Sequence, residues 1–269
     1  MDIRFATVLL LTVVIHMFNT MAYAVRPAGV TTKRIAIAFS LWNVLFLVCS
    51  TANTIQGPFM SSIIDKAVRS GAGPESYIGT DFRLVLLSAT VGSILGALLI
   101  PSFIRIFVRT IMLFDRVGSV PSMLVAAFSR DKMRKAAAEA ELPRMEMVRR
   151  ARQKGIPRRI VLLNFIITGV FTTGVLSALY AGVMEPTLAR TTLSMSAVVN
   201  GIGQVLSATM VDPRVASITD EAARGVRPAG DVKHMTLYLA LSRIAGTVLA
   251  QVIFVPAAWL IAFVSGLIA

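Results

Sequence analysis

The chain has 269 residues, of which 55% are hydrophobic and only 15% charged, with a mean hydropathy of +0.73. Ordinary soluble domains carry roughly 25% charged residues, so this composition excludes a water-soluble protein and points to an integral membrane one. The net charge of +13 is concentrated: 14 basic and 5 acidic residues lie between Arg105 and Arg159, which fits a cytoplasmic loop against anionic lipid better than a nucleic-acid surface.

Six segments approach the roughly 20 apolar residues that cross a bilayer, at about 5–25, 35–57, 84–104, 160–184, 187–211 and 235–257. The first ends in Ala22-Tyr23-Ala24, which resembles a signal-peptidase site. Residues 1–4 are formally neutral, however, and the apolar run exceeds a signal h-region, so it reads as a retained helix. The second span holds Cys49, the single cysteine, which rules out an intramolecular disulfide.

Between spans three and four, Ser119-Val120-Pro121 has the form of a helix start. Val120, Leu124, Ala127 and Phe128 then share one face. This is an interfacial helix on the inner leaflet, a docking element, or a basic linker. Spans four and five are joined only by Met184-Glu185-Pro186, a tight helical hairpin. The last span stays apolar to Ala269, too far for one straight crossing, so Pro256 is expected to kink it or to begin an interfacial or re-entrant piece.

The two halves repeat. PFMSSIIDKAVR (58–69) returns as PRVASITDEAAR (213–224), matching Pro58, Ser62, Ile63, Asp65, Ala67 and Arg69 with Pro213, Ser217, Ile218, Asp220, Ala222 and Arg224. Upstream, Tyr23, Arg34 and Asn43 pair with Tyr180, Arg190 and Asn200. Downstream, Gly92 and Pro101 pair with Gly246 and Pro256. Each unit holds three spans, and an odd number turns the second copy over in the bilayer. The predicted fold is therefore all-α: a polytopic membrane protein of six transmembrane helices built as two inverted three-helix repeats. Its parts are a first repeat (1–108), a basic loop with an amphipathic helix (109–157) and a second repeat (158–269).

Lys and Arg number 21 in the loops after spans one, three and five, against 5 on the opposite face. Both termini are thus expected outside and the large loop in the cytoplasm.

Arg243, eight residues inside span six, is the first candidate for substrate contact. A guanidinium at that depth costs about 2.5–3.5 kcal/mol on insertion scales unless it faces water, an anion or a carboxylate. Its forked donors suit phosphate oxygens. The only carboxylates able to approach it are Glu185 and Asp212, near span ends. Arg34 and Arg190, at the starts of spans two and five, either snorkel to the interface or guide an anionic head group on each face. Asn43 and Asn200, a repeat pair, either bond neighbouring helices or hold sugar hydroxyls. His16, with Glu185, is the candidate for proton coupling; otherwise it bonds a neighbouring helix. In the repeated motif, proline is expected to break the span, while Asp65–Arg69 and Asp220–Arg224 pair on one helical turn. Pro58, Asp65, Arg69, Pro213, Asp220 and Arg224 thus read as a duplicated hinge or gate.

No phosphate-cradling glycine motif, intramembrane metal cluster or nucleophile signature is present. No cofactor, metal or catalytic role is expected, and no nucleic-acid partner.

The length, the six spans, the basic central loop and the segment TANTIQGPFMSSIIDKAVR with its second copy resemble the Amj family of alternate lipid II flippases. The resemblance implies translocation of undecaprenyl-pyrophosphate-linked disaccharide pentapeptide to the outer leaflet of a bacterial cytoplasmic membrane. It assigns no binding residues. An exporter of a small organic anion or drug, or a membrane scaffold for cell-wall enzymes, remains the alternative.

Overall fold

A computed structural model describes residues 3–71, 73, 77–114, 118–119, 122 and 156–269. Most of the basic loop, with its expected amphipathic helix, lies outside the described residues. Among the described residues, eight α-helices run α1 (Ile3–Met21), α2 (Val25–Thr32), α3 (Ile35–Arg69), α4 (Tyr77–Met112), α5 (Arg158–Met184), α6 (Ala189–Leu206), α7 (Asp212–Ala223) and α8 (Ala229–Ile268). A 3-10 turn joins α1 to α2, and a π-helical turn, Ser207–Val211, joins α6 to α7. Among the described residues, six helical segments are long and apolar enough to cross a membrane. The protein is an all-helical, multi-pass membrane protein.

The helices outrun the expected spans because hydropathy marks the hydrocarbon crossing, whereas helical hydrogen bonding continues into the interface. The first crossing runs from Ile3 to Thr32, so Arg26 lies within a span and not in the following loop. α8 has 40 residues, about 60 Å of helix. Pro256 neither ends it nor starts a separate piece. Pro58 likewise leaves α3 unbroken, contrary to the expected break. Pro213 behaves differently. It stands in the first turn of α7, directly after the π-helical turn. Lacking an N–H, it gives Thr209 no donor, and the backbone widens there.

Both halves pack their first helix on their third. α1 lies along α4 and α5 along α8, the two most extensive helix contacts. Glycine permits each approach. A Cβ on Gly92 would collide with the Val13 carbonyl oxygen, and one on Gly246 would come within 2.6 Å of the Phe165 carbonyl oxygen. Without a hydrophobic drive between helices in lipid, such backbone proximity is a main source of cohesion. The helix ends repeat as well: Gly71 and Gly225 both adopt φ of +76° just past α3 and α7, the left-handed conformation that closes a helix.

Six crossings return the chain to its starting side, so the bundle has a terminal end and an opposite, basic end. Apolar clusters fill both. Phe5, Phe82, Tyr180 and Phe254 belong to the terminal cluster, and Leu41, Phe107, Val215 and Met235 to the basic one. Leu47, Val48, Ile94, Val205, Val252 and Phe263 are exposed along the sides, as a lipid-facing surface requires.

Gly246→Ala should therefore destabilise the bundle by about 1–3 kcal/mol. Gly230→Ala, where no atom lies within 4 Å, should be neutral or stabilising by up to about 1 kcal/mol. Thermal unfolding of the detergent-solubilised variants checks both, and equal midpoints would contradict the packing role.

Candidate functional site

Between the two apolar clusters lies a cavity of about 430 Å³ walled by α1, α2, α3, α5, α6 and α8. Its lining is unusually polar for a membrane interior: His16, Asn19, Arg26, Ser50, Asn53, Asn164, Asn200, Gln204, Asp212 and Arg243 all contribute. Such groups inside a span are retained at a cost and mark pathways or sites. A smaller space of about 70 Å³, bounded by Thr12, His16, Asn53 and Gln56, continues toward the terminal end.

The cavity opens sideways. α3 and α6 belong to the least buried crossings and make almost no contact with each other. Ser50 and Asn53 on α3, with Gly201 and Gln204 on α6, line the cavity yet remain exposed. This slot faces the lipid side of the bundle.

Some amides serve structure. Asn164 Nδ2 donates to the Leu239 carbonyl at 3.1 Å and to Ser242 Oγ at 2.8 Å, while Tyr23 OH donates to Asn164 Oδ1 at 3.3 Å. One side chain thereby ties α5 to α8 and to the turn after α1. Gln56 Nε2 donates to Thr12 Oγ1 at 2.7 Å, joining α3 to α1. Gln251 and Arg83 exchange reciprocal bonds between α8 and α4 at 2.9 and 3.0 Å. These polar contacts hold helices together where lipid offers no alternative partner.

Other groups are unanswered. Arg243 Nε, His16 Nδ1 and Asn200 Oδ1 are buried and have no hydrogen-bond partner among the described residues. All three side chains line the cavity. Asn200 has room because Gly174 lies opposite, where any Cβ would collide with its Oδ1. Buried polar atoms without partners are rare in native proteins and mark places where a ligand or water completes the bonding.

The remaining sequence candidates lie elsewhere. Asn43 is exposed and outside the cavity, so the repeat pair Asn43 and Asn200 is not equivalent in surroundings. Arg34 stands in the turn before α3, half-buried, with its backbone N–H donating to the Gly29 carbonyl. Arg190 and Glu185 are exposed at the α5–α6 hairpin, and neither lines the cavity with His16. The motif copies also differ. Asp220 and Arg224 form the i,i+4 ion pair on an exposed surface. No such pair joins Asp65 and Arg69 among the described residues; both line a separate crevice of about 230 Å³ near the α5–α6 hairpin.

Arg26 is the residue that sequence reasoning missed. It is 5% exposed and its guanidinium sits over the rings of Tyr23 and Trp42, at 5.5 and 5.3 Å. One nitrogen, Nη2, lies 3.6 Å from Asp212 Oδ1, while Nε and Nη1 are buried without hydrogen-bond partners among the described residues. Its signal in the sequence is weak: Pro27, Gly29 and nearby Lys33 suggest a loop, and only the flanking alanines and valines hint that the helix continues.

The fold and this side-opening polar cavity, lined by Arg26 and Arg243, define a polytopic membrane protein with a polar interior. The chain belongs to the Amj family, described as "Alternate to MurJ", whose model matches residues 11–265. A relative from Bacillus subtilis (strain 168), named "Lipid II flippase Amj", is 38% identical over 252 residues, covering 93% of each chain. No solved structure matches the chain.

Substituted cysteines test the cavity. In a Cys49→Ser background, Asn53→Cys and Gln204→Cys should react readily with a small water-soluble thiol reagent in native membranes. Val48→Cys, exposed but off the cavity, should react slowly. Equal rates at all three positions would deny an aqueous cavity behind the slot.

Proposed function

We propose that the chain moves lipid II from the inner to the outer leaflet of the bacterial cytoplasmic membrane. The reading rests on family membership and on the name of the Bacillus subtilis relative. The single structural observation that carries it is the polar cavity opening toward lipid between α3 and α6. A flippase makes and breaks no covalent bond. It needs a polar interior for the head group and a side exit through which the polyprenyl tail stays in the bilayer. Arg243 binds the pyrophosphate, and Asn200 bonds sugar hydroxyls. His16 either donates to the ligand or carries a proton.

A cavity of about 430 Å³ has the size of an ordinary small-ligand site. It accommodates the pyrophosphate end but not the whole disaccharide pentapeptide, so α3 and α6 have to part during transport. Repeated first-on-third helix packing and repeated glycine ends support two inverted halves rocking about the site. The same volume also suits a small organic anion, which keeps an anion exporter as the second reading.

Cells depleted of their main lipid II flippase separate the two readings. Expression of this chain should restore lipid II in the outer leaflet, whereas an anion exporter would not rescue them. Arg243→Ala should insert normally yet lower lipid II exposure at least about tenfold, the loss of one charge-assisted interaction. Undiminished exposure would remove Arg243 from the site. For orientation, Thr187→Cys should label from outside intact cells and Val226→Cys only after permeabilisation, both in Cys49→Ser; the reverse pattern would invert the topology.

A further inference from the structure

Arg26 has a peculiar environment for a residue that only stabilises the fold. Its guanidinium is almost fully buried, but its carboxylate neighbour engages it at one nitrogen only and at 3.6 Å, outside good hydrogen-bond distance. Asp212 is itself held loosely, accepting one bond from Ser207 Oγ at 3.4 Å, and its side chain is 33% exposed. Two further Arg26 nitrogens have no hydrogen-bond partner among the described residues. A buried structural ion pair is normally bidentate and fully bonded, because desolvating the charges is otherwise uncompensated. This pair is half-made, and it borders the cavity that also holds Arg243.

We infer that Arg26 is a second phosphate-binding residue and that Asp212 is its exchangeable counter-ion, released when a diphosphate enters. This rests on the transport reading for the ligand's origin, but the binding site stands on its own geometry. The two arginines and one aspartate that line the cavity carry a net single positive charge. Once Asp212 withdraws, two guanidiniums face the ligand, which matches the two phosphates of a lipid-linked diphosphate and exceeds the need of a phosphodiester head group. Tyr23 and Trp42 keep the Arg26 plane fixed by cation–π contact, so little side-chain order is lost on binding. Asp212 sits at the junction of the π-helical turn and Pro213, where the backbone is already irregular. Its release from Arg26 therefore frees α7 to move relative to α2. The site thus couples ligand binding to a joint in the fifth crossing.

Trp42 supplies the readout, since it touches Arg26 and the other tryptophan, Trp259, is exposed on α8. In full-length Trp259→Phe protein in nanodiscs, undecaprenyl diphosphate should change Trp42 fluorescence saturably. Phosphatidylglycerol vesicle lipid and undecaprenyl monophosphate should bind at least about tenfold more weakly. In that background Arg26→Gln should weaken diphosphate binding by roughly tenfold or more, and Asp212→Asn should tighten it severalfold. The opposite signs are the test, because a purely structural pair would lose binding in both variants together. Arg26→Gln combined with Asp212→Asn should recover thermal stability without recovering affinity, which separates misfolding from loss of the ligand contact.

Unchanged affinity in Arg26→Gln, or weakened affinity in Asp212→Asn, would overturn the assignment. Equal binding of phosphatidylglycerol would overturn the diphosphate preference. Tight, Arg26-dependent diphosphate binding in a protein that fails to rescue flippase-depleted cells would uphold the site and sink the transport reading.

Discussion

Everything else in the bundle is arranged around the difficulty of keeping guanidinium groups inside a membrane. A charge in the hydrocarbon region is tolerated only where water, an opposite charge or an aromatic face receives it. Arg26 has two rings and a distant carboxylate; Arg243 has a cavity. A bundle packed tightly throughout would leave neither any place to stand. The apolar clusters at both ends instead provide cohesion, and the middle is left polar and hollow. Glycine-mediated packing of α1 on α4 and α5 on α8 lets the two halves hold together despite that hollow.

The two halves share a plan but not a state. Both have a glycine-closed helix after the repeated motif, and both press a first helix against a third. Yet α3 passes through Pro58 without interruption, while the corresponding crossing in the second half widens into a π-turn before Pro213. One copy of the Asp/Arg motif is paired, and the other faces a crevice. Inverted repeats that adopt different conformations on the two faces are how alternating-access proteins present one site to each side in turn.

The slot between α3 and α6 follows from the same economy of contacts. These crossings carry little burial and contribute polar residues at their facing edges. In water such an edge would be unremarkable; against lipid tails it leaves hydrogen-bonding groups wanting partners. The lipid-linked ligand proposed above would satisfy both environments at once, with its head among the cavity amides and its tail in the bilayer.

Much of this was legible in the residues themselves. Hydropathy sets the number of crossings because transfer into hydrocarbon is a local property of each segment. A glycine stands shortly after each copy of the repeated motif, and the positive φ of Gly71 and Gly225 favours that residue in both places. Arg243, His16 and Asn200 were recognisable as polar groups deep inside apolar runs, and all three reach the cavity. What the residues could not disclose was which polar groups meet. Arg26 looked like a loop cation because Pro27 and Gly29 follow it, and Asn43 looked equivalent to Asn200 because they align. Tertiary structure separated them: helix rotation sends Asn43 outward, while the unbroken first crossing carries Arg26 to Asp212, 186 positions further along the chain. Span, repeat and depth are properties of one segment at a time and can be read from it. A charge pair or a cavity depends on how helices turn and pack against each other, which only the assembled bundle decides.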